Sequence, residues 1–224
     1  TLSSSSAASD VYKRQAVEDA KSKKIDILIT APINKSLSYS SSFKFLGHTD
    51  YLKNLFNIDP MMLMVSDNLK LGLLTEHIPL KDVVSEITTK KVIQKIKSLT
   101  DTLKNDFLIK APKIAILAIN PHVGDNGVIG SDDQNILIPA ITDLNKDNNL
   151  IFGPFSADTF FCNENHKQYD GIIAAYHDQG LIPFKTISFG NGVNYSSGLP
   201  IIRTSPDHGT GFDIAGQGLS LIHI

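Results

Sequence analysis

Residues 171–176 read GIIAAY and are followed directly by His177, so that a short apolar run ends at a histidine. Two other apolar runs lead to a histidine after one or two intervening residues, with LGLLT (71–75) before His77 and IAILAI (114–119) before His122. Short apolar runs of this kind are typical of buried strands in a parallel sheet. Because ligands bind beyond the carboxyl ends of such strands, we predict that the three histidines meet at one sheet edge and hold one divalent metal.

A three-histidine site leaves coordination positions open for substrate oxygens, which is typical of a catalytic metal. The three histidines are far apart in the sequence and form no short metal motif. The prediction therefore depends on the three strands being neighbours in the sheet. An isolated histidine at a strand end is more often a surface or hydrogen-bonded residue. Zinc, cobalt and magnesium all remain open as the metal.

The composition favours an enzyme that acts on small molecules. The chain of 224 residues has a formal net charge of −2, and its acids and bases are interspersed, unlike the basic blocks of a nucleic-acid surface. Its apolar runs are much shorter than the ~20 residues needed to cross a bilayer. The single cysteine, Cys162, excludes an internal disulfide framework and fits a reducing compartment. We therefore expect a cytoplasmic protein with no nucleic-acid or membrane partner.

Strands and helices alternate along most of the chain, which predicts an α/β fold. Strands are predicted at residues 25–30, 61–66, 71–75, 114–119 and 171–176, and helices at 88–106 and 132–147. Residues 24–218 are expected to form a partial, two-lobed α/β catalytic region. The serine- and alanine-rich residues 1–23 are expected to be disordered or non-native, and residues 219–224 to be a non-native end.

Three further segments are candidate ligand sites. The glycine-rich loop NPHVGDNGVIG at 120–130 suits either a phosphate cradle or an ordinary flexible loop. In GHTDYL, Thr49 is predicted to cap a helix whose first N–H groups and His48 face an anion. Lys185, Asn194 and Arg203 are predicted to lie in turn-rich loops, where they suit a phosphorylated or carboxylated ligand.

Several motifs in a fixed order resemble the 4-hydroxythreonine-4-phosphate dehydrogenase family of pyridoxal phosphate biosynthesis, from about Lys24 to Gly218. They are GHTD, LTEHIPL, NPHVGDNGVIG, AAYHDQG and GLPIIRTSPDHGTGFDIAGQG. The resemblance implies an isocitrate-dehydrogenase-like α/β fold with mixed and parallel sheets and flanking helices. The family's GDPxGIGPE-type segment and closing helix have no counterpart here, which predicts a truncated fold.

The resemblance also implies a cofactor, a partner and site residues. The cofactor is NAD or NADP, and the partner is a second copy of the chain, with active sites near the subunit boundary. The implied metal ligands, shared between subunits, are His77, His122 and His177. The implied substrate contacts are His48, Thr49, Lys185, Asn194 and Arg203.

The reaction implied by the resemblance is oxidation of the C3 hydroxyl of 4-phosphooxy-L-threonine, with hydride transfer to NAD, followed by loss of carbon dioxide. Lys185 and Arg203 would hold the charged ends of the substrate. Asp178 and Asp207 are the candidates for the proton acceptor, and His208 is a candidate for a partner that orients a neighbouring group. Three alternatives stay open: a dehydrogenase for a related four-carbon phosphorylated hydroxy acid such as phosphothreonate, a metal-dependent hydrolase, and a non-catalytic binding fragment.

Overall fold

The computed structural model describes residues 14–32, 48–188, 190–207 and 216–217. The chain divides into two compact units, one formed by Thr1–Pro60 together with Val193–Ile224 and the other by Met61–Gly192. No helix within the described ranges combines the length and the apolar character needed to span a membrane.

Helices and strands alternate along the chain, as predicted. The strands are β1 (Ile27–Ile29), β2 (Met61–Val65), β3 (Lys70–Leu73), β4 (Lys113–Leu117), β5 (Leu150–Phe155), β6 (Gly171–Ala174), β7 (Val193–Ser197) and β8 (Ile202–Pro206). The α-helices are α1 (residues 14–21), α2 (His48–Phe56), α3 (Val83–Glu86), α4 (Thr89–Asn105), α5 (Ile138–Asn145), α6 (Ala157–Phe160) and α7 (His177–Ile187). Tighter turns occupy Leu80–Asp82, Pro121–Gly127 and Cys162–Gln168, and a π-helical turn at Asp133–Leu137 leads into α5.

The larger unit contains strands in the order β2-β3-β6-β4-β5. Strands β2 and β3 pair in antiparallel fashion around the turn at Asp67 and Asn68. The pairs β3–β6, β6–β4 and β4–β5 are all parallel. The apolar runs before the three histidines thus lie in β3, β4 and β6, three adjacent parallel strands. This adjacency confirms the condition on which the predicted histidine edge depended.

Helix α4 covers this sheet because its apolar residues recur at steps of three and four. Val92, Ile96, Leu99 and Leu103 are all fully buried. The helix begins after Thr88, whose hydroxyl accepts a hydrogen bond from the Lys91 N–H at 3.3 Å and so caps the first turn. The predicted amphipathic helix at 88–106 is therefore confirmed.

The smaller unit pairs β1 with β8 in parallel and β8 with β7 in antiparallel fashion. Its apolar cluster centres on Val17, Tyr51 and Leu52, which come from α1 and α2. Residues 14–21 lie within the stretch expected to be disordered or non-native, yet they form a helix with Val17 and Ala20 buried. The expected disorder is therefore wrong for these residues, because two apolar side chains pack into the unit. Residues 1–13 and 219–224 lie outside the described residues.

Candidate functional site

Two of the three predicted metal ligands lie side by side at the carboxyl edge of the larger unit's sheet. Paired residues Leu73 and Ala174 end the β3–β6 ladder, and His77 and His177 follow a few residues later. The two imidazole ring centroids are 5.4 Å apart, with the ring planes tilted by 48°. His77 is exposed and His177 is half-buried. A ring separation of this size lets the two imidazoles contact a single ion between them.

Asp178 contacts the His177 ring directly. The His177 Nδ1 and the Asp178 Oδ1 are 2.7 Å apart. A carboxylate on one ring nitrogen fixes the tautomer and leaves the other nitrogen available as a ligand, as is usual for metal-binding histidines. The Asp178 side chain is 73% exposed, so it can orient the ring without a large desolvation cost.

His122 lies on an unusual stretch of backbone. The five residues from His122 to Asn126 all have positive φ, between 44° and 78°, a conformation that is costly for a β-branched residue such as Val123. At Gly124, an added Cβ would lie 2.2 Å from the Gly130 carbonyl oxygen, so only glycine fits. His122 is exposed, and its charge contributes, after the Ser156 hydrogen bond, to a lowered pKa of the Asp158 carboxyl.

A single chain does not bring the three histidines together as one set of ligands. Within the described residues, no group of three or more histidine, cysteine, aspartate or glutamate side chains could hold a metal ion. Among the three histidines, the described contact is the one between the His77 and His177 rings. Imidazole donors suit zinc or cobalt, which would need further ligands, whereas magnesium prefers oxygen ligands.

Arg203, a predicted ligand contact in the smaller unit, is buried, with 4% of its surface exposed. Its Nε donates to the Thr30 hydroxyl at 3.1 Å, and its Nη1 donates to the Ser196 hydroxyl at 3.1 Å. Burial lowers the pKa of Arg203 to about 10, so the guanidinium is still charged at neutral pH. Among the described residues these hydrogen-bond partners are neutral hydroxyls, and a buried charge held in this way favours an anionic ligand.

The remaining predicted contacts lie on regular elements, and the loop predictions for them are wrong. Lys185 lies in helix α7, while Asn194 and Arg203 lie in strands β7 and β8. The glycine and proline residues of this region misled the prediction, because helix α7 accommodates Pro183 within it.

At the start of α2 the prediction needs a smaller correction. The helix begins at His48, so Thr49 lies in its first turn and does not precede it as a cap. Asp207 is half-buried just after β8. His208, the candidate for an orienting partner, lies outside the described residues.

Comparison with known proteins identifies the family of this chain. Residues 2–222 match the model of a family described as pyridoxal phosphate biosynthetic protein PdxA. The chain belongs to the PdxA family. Its resemblance to 4-hydroxythreonine-4-phosphate dehydrogenases, inferred from the sequence motifs, is thereby confirmed.

Individual relatives of this PdxA chain agree. A 4-hydroxythreonine-4-phosphate dehydrogenase of Sulfurihydrogenibium sp. (strain YO3AOP1) is 49% identical over 214 residues, which cover 95% of this chain and 66% of that protein. The crystal structure of a 4-hydroxythreonine-4-phosphate dehydrogenase from Klebsiella pneumoniae superimposes with a TM-score of 0.85 at 34% identity, covering 94% of this chain and 64% of that one. The chain thus spans just under two thirds of the length of these relatives.

A more distant structure shares the fold of the PdxA family. A terephthalate 1,2-cis-dihydrodiol dehydrogenase from Burkholderia xenovorans LB400 superimposes with a TM-score of 0.74 at 26% identity, covering 97% of this chain and 69% of that one. These structural relatives confirm the predicted isocitrate-dehydrogenase-like fold, with mixed α/β sheets and flanking helices.

Two residues near the histidines were not among the predicted site residues. Thr75 lies two positions before His77, and Gln179 lies two positions after His177. Both side chains hydrogen-bond to the backbone around Ala175. Gln179 belongs to the motif AAYHDQG, so its proximity to a predicted ligand was the available signal.

Proposed function

We propose that this chain belongs to an NAD-dependent, divalent-metal-dependent dehydrogenase that oxidises 4-phosphooxy-L-threonine to 2-amino-3-oxo-4-phosphooxybutanoate. Loss of carbon dioxide then gives 3-amino-2-oxopropyl phosphate, a step toward pyridoxal 5′-phosphate. The observation that carries the proposal is the pair of imidazoles, His77 and His177, 5.4 Å apart at the sheet edge, in a chain of the PdxA family. The relatives' name supplies the substrate.

The proposed metal ligands are His77, His122 and His177, shared between two copies of the chain. A second copy would bury exposed apolar side chains that lie next to each histidine segment, and such burial stabilises association. They are Ile78 and Leu80 after His77, Val128 and Ile129 after His122, and Ile182 in the helix that His177 begins. Sedimentation of the chain with and without zinc tests this assignment, and a monomer at every concentration would contradict it.

The proposed substrate contacts divide between the units. Arg203, buried and charged, holds an anionic group of the substrate with Asn194, and His48 and Thr49 are assigned to the same role at the start of α2. Lys185, exposed on helix α7, binds a further charged group of the substrate. Fixed cations of this kind contribute chiefly by orienting the reacting carbon.

The chemistry assigned to this chain's residues is binding, orientation and proton transfer. When bound, a divalent metal would make the substrate C3 hydroxyl more acidic, and NAD would accept the hydride. The Asp178 carboxylate orients the His177 ring through their 2.7 Å contact, which assigns it to orientation and not to proton removal. Asp207 is then the candidate for accepting the hydroxyl proton, and His208 is the candidate for a partner that orients it. Loss of turnover in Asp207→Asn, compared with His208→Gln, tests this assignment.

The deciding experiment measures NADH formation with 4-phosphooxy-L-threonine, phosphothreonate and a cis-dihydrodiol as substrates, with zinc, cobalt or magnesium and with NAD or NADP. We expect turnover of 4-phosphooxy-L-threonine, and its loss on chelation. Faster turnover of phosphothreonate would establish the related four-carbon hydroxy acid as the substrate. Release of inorganic phosphate without NAD would establish a hydrolase. Metal binding without any turnover would mark a non-catalytic binding protein.

The second candidate, a dehydrogenase for another secondary alcohol, has a specific observation in its favour. The terephthalate 1,2-cis-dihydrodiol dehydrogenase shares the fold at 26% identity. Proteins of this fold are therefore named as dehydrogenases of different alcohols. The buried Arg203 favours an anionic substrate in this chain. The variant Arg203→Met is expected to raise KM for a phosphorylated substrate much more than for an uncharged diol.

A further inference from the structure

Ala175, two residues before His177, has both of its backbone polar groups held by side chains. The Thr75 hydroxyl donates to the Ala175 carbonyl at 2.7 Å, and the Ala175 N–H donates to the Gln179 Oε1 at 2.7 Å. Thr75 is 3% exposed and Ala175 is fully buried. Hydrogen bonds removed from water are expensive to break, because the groups left behind cannot be solvated. The backbone just before His177 is thus fixed from both sides.

Gln179 carries this connection across to the segment before His122. Its Nε2 donates to the Ala118 carbonyl at 2.8 Å, while its Oε1 accepts from Ala175. A backbone N–H can only donate and a carbonyl can only accept, so these two partners fix the orientation of the amide. The paired register of β4 and β6 ends at Ile116 and Ile173. The Gln179 amide therefore joins the two segments beyond the last paired residues of their strands.

Asp133 extends the same connection toward His122. Its two carboxylate oxygens accept from the Ile119 N–H at 2.7 Å and the Asn120 N–H at 3.0 Å, and the residue is fully buried. These two amides come directly after Ala118 and directly before the left-handed turn that carries His122. One continuous set of hydrogen bonds therefore runs from Thr75 through Ala175, Gln179 and Ala118 to Asp133, and it links the three segments that lead into the three histidines.

We propose that Gln179 is a positioning residue for the metal ligands, acting at the centre of this set of hydrogen bonds with Thr75 as its partner. Metal sites need their ligands held within about 0.5 Å of the binding geometry. Backbone hydrogen bonds continue the β3–β6 pairing as far as Thr75 and Ala175, and the Thr75 hydroxyl adds a second contact there. Beyond the last paired residues of β4 and β6, the connection is made by the Gln179 amide. The inference rests on the proposed metal site and adds to it the residues that hold its ligands in place.

The first test replaces the amide in the 224-residue chain and measures Co²⁺ affinity by competition with a chelating dye. Gln179→Glu keeps the acceptor for Ala175 but removes the donor to Ala118, and Gln179→Met removes both. We expect each to weaken Co²⁺ binding by about tenfold or more, the usual effect of losing a partner behind the ligands. Gln168→Glu introduces the same charge at an exposed glutamine and is expected to bind Co²⁺ like the parent chain. Unchanged affinity in both Gln179 variants would overturn the proposal.

The second test uses Thr75 and also decides the case in which a Gln179 variant does not fold. Thr75→Val keeps the shape and loses the hydroxyl, whereas Thr75→Ser keeps the hydrogen bond. We expect weaker Co²⁺ binding in the valine variant and rescue in the serine variant. The control is Thr100→Val, which removes a buried hydroxyl that donates to the Ile96 carbonyl in helix α4 at 2.8 Å. Equal loss of affinity in Thr75→Val and Thr100→Val would indicate a general effect on stability and contradict the proposal.

A third measurement separates this inference from the proposed function. Imidazole signals of His77 and His177 in ¹H–¹⁵N NMR spectra of the metal-free chain report the ring environments directly. We expect Gln179→Glu and Thr75→Val to move or broaden these signals, and Gln168→Glu and Thr100→Val to leave them in place. If the parent chain binds no Co²⁺, the proposed metal site fails, and these spectra alone decide whether Gln179 positions the histidines. Unmoved signals in both variants would refute it.

Discussion

The larger unit contains two kinds of histidine environment. At the sheet edge, His77 and His177 are accessible to solvent, lie 5.4 Å apart, and follow backbone fixed by buried hydrogen bonds. In the turn after α6, His166 is 5% exposed, and neither ring nitrogen has a hydrogen-bond partner within the described part of the chain. Accessible imidazoles in fixed positions can bind an ion, whereas burial of an unpaired imidazole favours its neutral form.

This difference shows that the surroundings of a histidine decide its chemistry. Burial is the main cause of the lowered pKa of His166, and the neighbouring Lys167 lowers it further. The ring packs beside Phe161, with centroids 6.0 Å apart, so it acts as a small aromatic residue. Substitutions near the exposed histidine pair and at the buried His166 test this difference.

Removal of a ligand should have the largest effect. His177→Ala is expected to weaken Zn²⁺ binding by about 100- to 1000-fold, since four-ligand zinc sites contribute roughly 10–16 kcal/mol in total. Dye competition measures this loss. His166→Ala should bind Zn²⁺ as the parent chain does, despite a larger loss of stability. Equal zinc affinity in the two variants would remove the distinction between the two environments.

Loss of the Asp133 carboxylate, which accepts hydrogen bonds from the backbone just before His122, should have the second largest effect. Asp133→Ala leaves the part-buried N–H groups of Ile119 and Asn120 without their acceptors. It is expected to lower the free energy of unfolding by about 2 kcal/mol, as measured by urea denaturation. The matched variant Asp132→Ala removes a half-buried carboxylate that accepts from the Asn120 amide at 3.0 Å. Its expected cost is about 1 kcal/mol. A smaller loss in Asp133→Ala than in Asp132→Ala would contradict the assigned role.

The carboxylate that orients His177 should matter for binding and little for stability. Asp178→Asn is expected to weaken Zn²⁺ binding by about tenfold, while the unfolding free energy changes by no more than about 0.5 kcal/mol, because the side chain is exposed. Calorimetric titration and urea denaturation measure the two quantities. Asp143→Asn, at an exposed surface ion pair with Lys146, is the control for charge. Zinc affinity that does not change in Asp178→Asn would refute the orienting role.

The smallest effect concerns pH and His166. Because burial lowers its folded-state pKa below the unfolded value of about 6.5, His166 contributes stability above the unfolded pKa and loses it as the pH falls through the folded pKa. His166→Leu should lose less stability between pH 7 and pH 5 than the parent chain does. Urea denaturation at both pH values measures this change. An equal loss of stability between pH 7 and pH 5 in His166→Leu and in the parent chain would contradict the buried-histidine explanation.

Most elements could be predicted because their signals are local. The three- and four-residue recurrence of Val92, Ile96, Leu99 and Leu103 identified helix α4, and the apolar runs identified β3, β4 and β6. The loop predictions at Lys185, Asn194 and Arg203 failed because glycine and proline indicate turns only on average. In this chain, Gly180 lets helix α7 pack closely, since an added Cβ would lie 2.5 Å from Leu71 Cδ2.

In the candidate site, the histidines could be predicted from the sequence, but the residues that hold the backbone near them could not. Histidines after apolar runs form a pattern that can be read along the sequence. The side chains that hold them, Thr75, Asp133 and Gln179, bond to backbone from other segments. Nothing in the local sequence of Gln179 specifies that its amide reaches Ala118, because that contact depends on which strands are neighbours.

The sequence by itself determined the α/β class, the family and the three strand-end histidines, because residue periodicity and motif order are properties of the chain. Tertiary structure alone decided that His77 and His177 approach each other while His166 is enclosed, that Arg203 is buried among hydroxyls, and that one glutamine joins two strand ends. The physical reason is that hydrogen-bond partners and exposure depend on distances between segments far apart in sequence, and these distances are set only when the strands pair and the helices pack.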